Sequence, residues 1–322
     1  MPSISRSTSP PSIGVVIVTY RAREQLGRCL PPLLASPLRP RLLVVNSSSG
    51  DGTVERAREL GAETWVVPRE TFNHGATREA ARRRLATDIV VMMTPDAHAT
   101  SPAFLERLVA PVAEGRAAVA YARQIAAADA DPIARFGRIF AFPETSEIRS
   151  AADWRDRGSA VHFCSNACAA WSQEALDEIG GFRPTLVSEE TIAVVELLER
   201  GHRIAYVAEA EVVHSHPTSL LGDFRRQFDI GLTRRLFARQ LLAHGTDEQR
   251  GLLYLRELTA YLLREAPALL PYAWLHTALR YAGYRLGRMG PCLPEGWRRR
   301  LSSQDFFWLE PPARRLAAGL PA

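Results

Sequence analysis

The 322 residues carry 40 basic and 35 acidic side chains, a formal charge of +5, with 46% hydrophobic and 23% charged residues, as expected of a globular chain able to bury a full core. Every basic residue is Arg and none is Lys, which reads as a coding bias and excludes Schiff-base chemistry and a Walker-type phosphate loop. The four cysteines (Cys29, Cys164, Cys168 and Cys292) form no CxxC pair, so they are expected to be reduced thiols of a cytoplasmic protein.

Residues 1–12 are Ser/Pro-rich and polar, lack the apolar core of a secretory signal, and are expected to form a disordered tail. From Ile13 to Val18 the chain is almost wholly apolar, the pattern of a strand covered on both faces. A helix pattern follows through Leu26, Leu30, Leu33 and Leu34, then a strand at Leu42–Val45, a helix from Thr53 to Leu60 and a short strand at Thr64–Val67. Ala76 to Leu85 reads as helix, Ile89 to Met93 as strand, Phe104 to Val112 as helix and Ala117 to Tyr121 as strand. This alternation predicts an α/β fold, a doubly wound, mainly parallel, Rossmann-like sheet over residues 13–122. Residues 123–160 have weak periodicity and read as an irregular insertion. Beyond them come a strand at Val161–Phe163, a helix from Gln173 to Ile179, a Gly180–Gly181 turn, a helix from Glu189 to Glu199, and strands at Arg203–Val207 and Glu211–His214.

From Ser219 the pattern is helical, with breaks near Gly245, Pro267 and Gly290, up to a short tail at 311–322. Charge divides unevenly here: residues 1–219 hold 24 Arg against 26 acids, and residues 220–322 hold 16 Arg against 9. A balance of +7 in the last third suits an anionic partner such as lipid headgroups or a phosphate-bearing acceptor, with a solvated helical surface as the plainer reading. The most apolar stretch, Ala266 to Tyr284, contains Pro267, Pro271, His276 and Arg280, so it suits a membrane surface rather than a span.

In doubly wound sheets, ligands bind beyond the C-terminal ends of the strands. Those ends carry Thr19–Tyr20, Asn46–Ser47–Ser48, Pro68–Arg69 and Asp96. The loop Asn46–Ser47–Ser48–Ser49–Gly50–Asp51–Gly52–Thr53 has small residues that admit a ligand to the backbone, and Asp51 or Thr53 is placed to cap the next helix. Tyr20 offers a ring for a nucleobase, with Arg21 beside it. In Phe72–Asn73–His74–Gly75–Ala76–Thr77–Arg78, Gly75 opens a helix whose amides suit a phosphate and Arg78 adds a cation; Asn73 as a plain N-cap is the alternative. Thr94–Pro95–Asp96 ends a strand with one carboxylate, which suits a hard cation that completes its shell with diphosphate oxygens. Glu189 and Glu190 open a helix, where one suits a general base and either complements the helix dipole. His214 and His216, at i and i+2 on a strand end, share a face.

These strings resemble the large inverting glycosyltransferase family 2, of GT-A fold, and within it bacterial rhamnosyltransferases. The resemblance rests on Val18–Thr19–Tyr20 with the Ser/Gly/Asp loop, Phe72 to Arg78, Asp96–Ala97–His98, Cys164–Ser165–Asn166–Ala167 with Gly180–Gly181–Phe182, Ser188 to Thr191, and His214 to Ser219 with Phe224 to Gly231, and it spans roughly residues 13–309. It implies a GT-A catalytic domain over 13–218, with a nucleotide-binding half (13–122) and an acceptor half (123–218), followed by a helical region over 219–310. It further implies nucleotide binding by Thr19, Tyr20, Arg21, Asn46, Ser48, Asp51, Gly75, Arg78, Thr94 and Pro95, and a Mg²⁺ or Mn²⁺ site at Asp96, with His214, or else His216, completing the metal or diphosphate site. His98 is the candidate replacement for the family's second acidic ligand. Ser165, Asn166 and His216 face the acceptor or sugar, and Glu190 stands as base where the family mostly has Asp, with Glu189 in reserve. The chain also departs from the family at Asn46, usually Asp, and at Glu79, usually Asn.

The implied reaction moves L-rhamnose from dTDP-β-L-rhamnose to a glycan or polyprenyl-linked acceptor of a surface polysaccharide, at the inner face of the cytoplasmic membrane, with no nucleic-acid partner. The rival expectations are a UDP-hexose or UDP-N-acetylhexosamine donor, a degenerate module that binds glycan or nucleotide without turnover, and a membrane-surface scaffold.

Overall fold

The computed structural model describes residues 10–245 and 248–309. Most of the expected N-terminal tail, and all of the tail at 311–322, lie outside the described residues. The apolar runs become strands: β1 (Ile13–Thr19), β2 (Arg41–Asn46), β3 (Glu63–Val66) and β4 (Ile89–Met93), followed by the two-residue β5 (His98–Ala99). β6 (Val119–Ile125), β7 (Glu147–Arg149), β8 (Cys168–Ser172) and β9 (Ile204–Val213) complete one sheet in the order β3-β2-β1-β4-β8-β6-β9-β5, with β7 paired to β9. The β3-β2-β1-β4 half is parallel, β8 enters antiparallel between β4 and β6, and β6 runs parallel to β9.

Side chains alternate across a strand, and the two core clusters follow that alternation. Val15, Ile17, Val44 and Val91 face one side, with Leu26, Leu30 and Leu33 of the helix Arg23–Leu34 and Phe104 and Leu108 of the helix Phe104–Ala113. Val16, Val18, Val45 and Met92 face the other, with Ala81 and Leu85 of the helix His74–Leu85 and Val194, Leu197 and Leu198 of the helix Glu189–Glu199. The sheet is therefore wound on both faces, as its near-continuous apolar strands require.

Three local expectations differ from the structure. Val161–Phe163 is not a strand, because Gly158 to His162 form a 3-10 turn; the strand of this region is β8, five residues on. Residues 123–160 are ordered: Asp131 accepts a hydrogen bond from the Ala134 amide and caps a helix at Pro132–Ala141, and β7 follows. The two C-terminal strands are one strand, β9, whose register against β6 shifts so that Ala122 faces Val207 while Arg123 faces Glu211.

The C-terminal helices include Leu220–Leu236, Glu248–Glu265, Leu270–Arg288 and Glu295–Leu301. They do not form a core of their own alone. Phe228, Leu232, Phe306, Phe307 and Trp308 join the cluster that holds Val16 and Trp171 of the sheet. Among the described residues no helix is long and apolar enough to cross a membrane.

Candidate active site

The β4 end delivers Asp96, and the β9 end delivers His214 and His216, each on a short extension beyond the ladder. Their ligating atoms lie within 4.8 Å of one another, with His214 Nε2 at 3.5 Å and His216 Nε2 at 3.4 Å from Asp96 Oδ2. A carbonyl oxygen only accepts, so the 2.7 Å contact to Gln124 Oε1 makes His214 Nδ1 the donor and turns Nε2 toward Asp96. Gln124 is held in turn: its Oε1 accepts from Arg138 Nη1 at 2.8 Å and its Nε2 donates to Ser165 Oγ at 2.8 Å. This is how second-layer partners fix a metal-binding imidazole. Asp96 Oδ1 and Thr94 Oγ1 are buried without a hydrogen-bond partner, so oxygen donors remain available to a cation. Burial works to raise the Asp96 pKa, but the neighbouring His214 outweighs it and holds the carboxyl well below the usual range. Burial and the charge of His214 push His216 down to about 4, leaving a neutral imidazole able to ligate. The residues present therefore fit a divalent cation of the Mg²⁺ or Mn²⁺ kind. His98 is not brought into this group: it sits on β5 opposite Val213, and among the described residues the cluster is Asp96, His214 and His216. Sequence reasoning missed Gln124, whose only signal is its place on a strand that becomes the neighbour of β9.

The second centre lies at the start of the helix Glu189–Glu199. Glu189 is buried and ion-paired with Arg78, itself 4% exposed, and accepts from Asn166 Nδ2 at 3.2 Å. Burial alone would raise the Glu189 pKa, but Arg78 and then His74 hold it below its ordinary value. Glu190 is only partly buried, and burial together with the adjacent Glu189 charge pushes it up to about 8. The two carboxylates thus divide: one is fixed as an anion, the other is poised to exchange a proton. Ser165 and Asn166 tie the two centres together, since Ser165 receives Gln124 while Asn166 holds Glu189.

Several expected ligand contacts turn inward instead. Arg78 serves Glu189 rather than a phosphate. A Cβ on Gly75 would overlap the Arg183 carbonyl oxygen, so this glycine is required by the close approach of another segment, and Asn73 caps the helix with its Oδ1 on the Ala76 amide at 3.1 Å. Asn166 uses both ends of its amide, accepting from Trp171 Nε1 at 2.9 Å while it donates to Glu189, so it orients that carboxylate. Asn46 closes its own turn onto Ser49, through the Ser49 amide and hydroxyl, both at 2.8 Å, and Thr19 donates to the Val45 carbonyl at 3.0 Å. Asp51 bonds the Ser49 and Thr53 hydroxyls, each at 2.7 Å, while the helix it was expected to cap begins after Gly52 without a side-chain cap. Ser48, at φ 57°, donates to the Val67 carbonyl.

Tyr20 is the exception on this rim. Its ring is exposed, the Arg69 guanidinium lies 3.7 Å over it, and Arg21 lies 5.2 Å away. Arg69 is also paired with Asp305 at 2.8 Å. Pro95 turns the chain between Thr94, whose amide bonds the Ala167 carbonyl, and Asp96.

The family described as "glycosyltransferase like family 2" matches residues 10–229. The chain is similar to the O-antigen chain rhamnosyltransferase RfbN of Salmonella typhimurium, 29% identical over 300 residues that cover 92% of this chain and 96% of that protein. It is also similar to the O-antigen chain rhamnosyltransferase WbaN of Salmonella anatum, 30% identical over 270 residues, 83% of this chain and 86% of that one. Among solved structures it resembles the mannosyltransferase PcManGT of Pyrobaculum calidifontis, solved in complex with GDP-Man and Mn²⁺, at a TM-score of 0.53 and 18% identity over 96% of this chain and 88% of that one. This last likeness is one of fold, and the fold is GT-A.

Proposed function

This chain belongs to glycosyltransferase-like family 2 and is a glycosyltransferase, and on that premise we propose that it transfers L-rhamnose from dTDP-β-L-rhamnose, with inversion, to a glycan or polyprenyl-linked acceptor of a bacterial surface polysaccharide. The setting proposed is the cytoplasmic side of the membrane. What supports the donor is the likeness to two rhamnosyltransferases over most of their length. The observation that carries the chemistry is the Asp96, His214 and His216 group, with His214 Nε2 turned toward the carboxylate by Gln124.

Asp96, His214 and His216 would hold Mg²⁺ or Mn²⁺, which when bound supplies positive charge to a diphosphate leaving group. Tyr20 and Arg69 stack on one another at the rim and offer a π-face and a cation to the nucleotide. Glu190 takes the proton of the acceptor hydroxyl as that oxygen attacks the anomeric carbon, displacing the nucleoside diphosphate. Glu189 stays ionised on Arg78 and keeps the pKa of its neighbour high.

A panel of dTDP-rhamnose, UDP-hexose and UDP-N-acetylhexosamine donors, each with Mn²⁺ or with EDTA, tests this reading. We expect turnover with dTDP-rhamnose that EDTA abolishes and Mn²⁺ restores, and a loss of about 10²- to 10⁴-fold in Glu190→Gln with donor binding retained. Preference for a UDP-sugar overturns the donor, near-normal turnover of folded Glu190→Gln overturns the base, and donor binding without any turnover makes the chain a binding module.

A further inference from the structure

The helix Leu270–Arg288 turns an apolar stripe outward. Its buried side, Ala273, His276, Gly283, Tyr284 and Gly287, packs into the molecule. Its exposed positions follow the same helical period and include Trp274, Leu275, Ala278, Tyr281 and Ala282, then Met289 just past its end; the first charge on this stripe is Arg285. Trp274, Leu275 and Tyr281 are each 51% exposed and Met289 is 60% exposed. The neighbouring helix Glu248–Glu265 adds Leu252, Ala260 and Leu263, and the Trp274 indole N–H reaches across to Thr259 Oγ1 at 3.1 Å, joining the two helices at this face. Single exposed apolar side chains are ordinary; an uncharged run over about two turns, resumed at Met289 and flanked by exposed leucines on a second helix, is not.

We propose that this face seats on an anionic lipid bilayer, lying in the headgroup boundary with Trp274, Leu275, Tyr281 and Leu263 inserted and the surrounding arginines on the phosphates. Exposed Trp and Tyr beside leucines are the side chains that settle at a membrane boundary. Charge selects this occupant over a second copy of the chain. Residues 220–322 carry 16 Arg against 9 acids, and Arg256, Arg264 and Arg285 are exposed on these two helices. A two-fold contact through the stripe would set that basic rim against itself, whereas an anionic surface complements it. No described helix can span, so the contact is peripheral. The proposal deepens the reading of an enzyme working at a membrane face, and its test uses no sugar donor, so either can fail alone.

Flotation of the full chain with vesicles of phosphatidylcholine alone, or with 30–40% phosphatidylglycerol (about one lipid in three, enough to give a strongly negative surface), reads the contact directly. We expect flotation only with the anionic vesicles, weakened at least tenfold by Trp274→Ser with Leu275→Ser and reduced by high salt, while circular dichroism and sedimentation of the free variant stay those of the parent. Arg285→Glu, which keeps the apolar stripe, is expected to weaken flotation several-fold. Absence of flotation, equal flotation of the stripe variant, or a dimer of the parent that the same substitutions convert to monomer overturns the proposal; the last result makes the face a self-association surface.

Discussion

At the scale of single residues the proposed chemistry turns on two adjacent carboxylates made unlike by their surroundings. Glu189 has a buried guanidinium against it; for Glu190, burial and the charge of Glu189 outweigh the pull of Arg78. A carboxyl raised to about 8 is protonated in the folded protein over a range where it is ionised in the unfolded chain. Its contribution to stability is therefore fully present below the unfolded value near 4.5 and is lost as pH rises through about 8. We predict that Glu190→Gln matches the parent in thermal stability at pH 4 to 5 and exceeds it by about 2 kcal/mol at pH 9, well short of the full shift because the group is part-exposed and its proton is shared with the pair. Turnover of the parent should move oppositely, with kcat/KM climbing through pH 8 as the base ionises. Thermal melts and a pH–rate profile check the two halves, and a stability gap that stays flat with pH would remove Glu190 from this role. The place of this pair at a helix start was legible in the sequence, and the helix Glu189–Glu199 begins there. The split between its members was not, since Arg78 lies 111 residues away in the chain.

At the scale of elements, glycine sets how close the two long C-terminal helices come. A Cβ on Gly287 would overlap the Phe228 carbonyl oxygen, one on Gly231 the Tyr284 carbonyl oxygen, and one on Gly283 the Phe224 carbonyl oxygen. Backbones in contact have no side chain to yield, so Gly287→Ala must part the helices Leu220–Leu236 and Leu270–Arg288, an overpacking cost of about 1–3 kcal/mol that matches the roughly 1 kcal/mol gain in helix propensity at its lower bound and exceeds it above that. We predict a lower urea midpoint with an unchanged slope; a midpoint at or above the parent's would show that the crossing relaxes freely. Strands with long aliphatic runs, β1, β2 and β4, were readable from pattern alone. β8 was not, because Cys168–Ala169–Ala170–Trp171–Ser172 is small-residue sequence without alternation, made a strand by the slot between β4 and β6. Val161–His162–Phe163 misleads in the opposite sense: Val161 is buried from a 3-10 turn rather than from a ladder. Gly75 shows the same limit within the site, a glycine read as a phosphate approach that is explained by the Arg183 backbone.

At the scale of the whole molecule, the helical third and the sheet share one interior. Helical periodicity announces the C-terminal helices but cannot say what they pack on, and the chain's last described turn, Asp305–Leu309, comes back to the rim that carries Tyr20 and Arg69. Phe306 packs edge-on to Phe72 and His74, Asp305 holds Arg69 over Tyr20, and Phe307 and Trp308 are buried in the sheet's own core. Asp229 anchors this return, accepting from the Ser303 amide and hydroxyl at 2.8 and 2.6 Å. Truncating one buried Phe or Trp to Ala costs about 3–5 kcal/mol, and three of them together exceed or match the roughly 5–15 kcal/mol that holds a typical domain folded. We therefore predict that the full chain melts in one calorimetric transition and that a chain ending at Leu301 retains helical circular dichroism but loses cooperative melting, binds hydrophobic dye and fails to retain donor. Asp305→Ala, which leaves the three aromatics in place, should melt as the parent does and lose only affinity for the nucleotide through a freed Arg69. A chain ending at Leu301 that melts sharply and binds donor would mean that the sheet half stands alone, and that the returning segment lies on a core already complete.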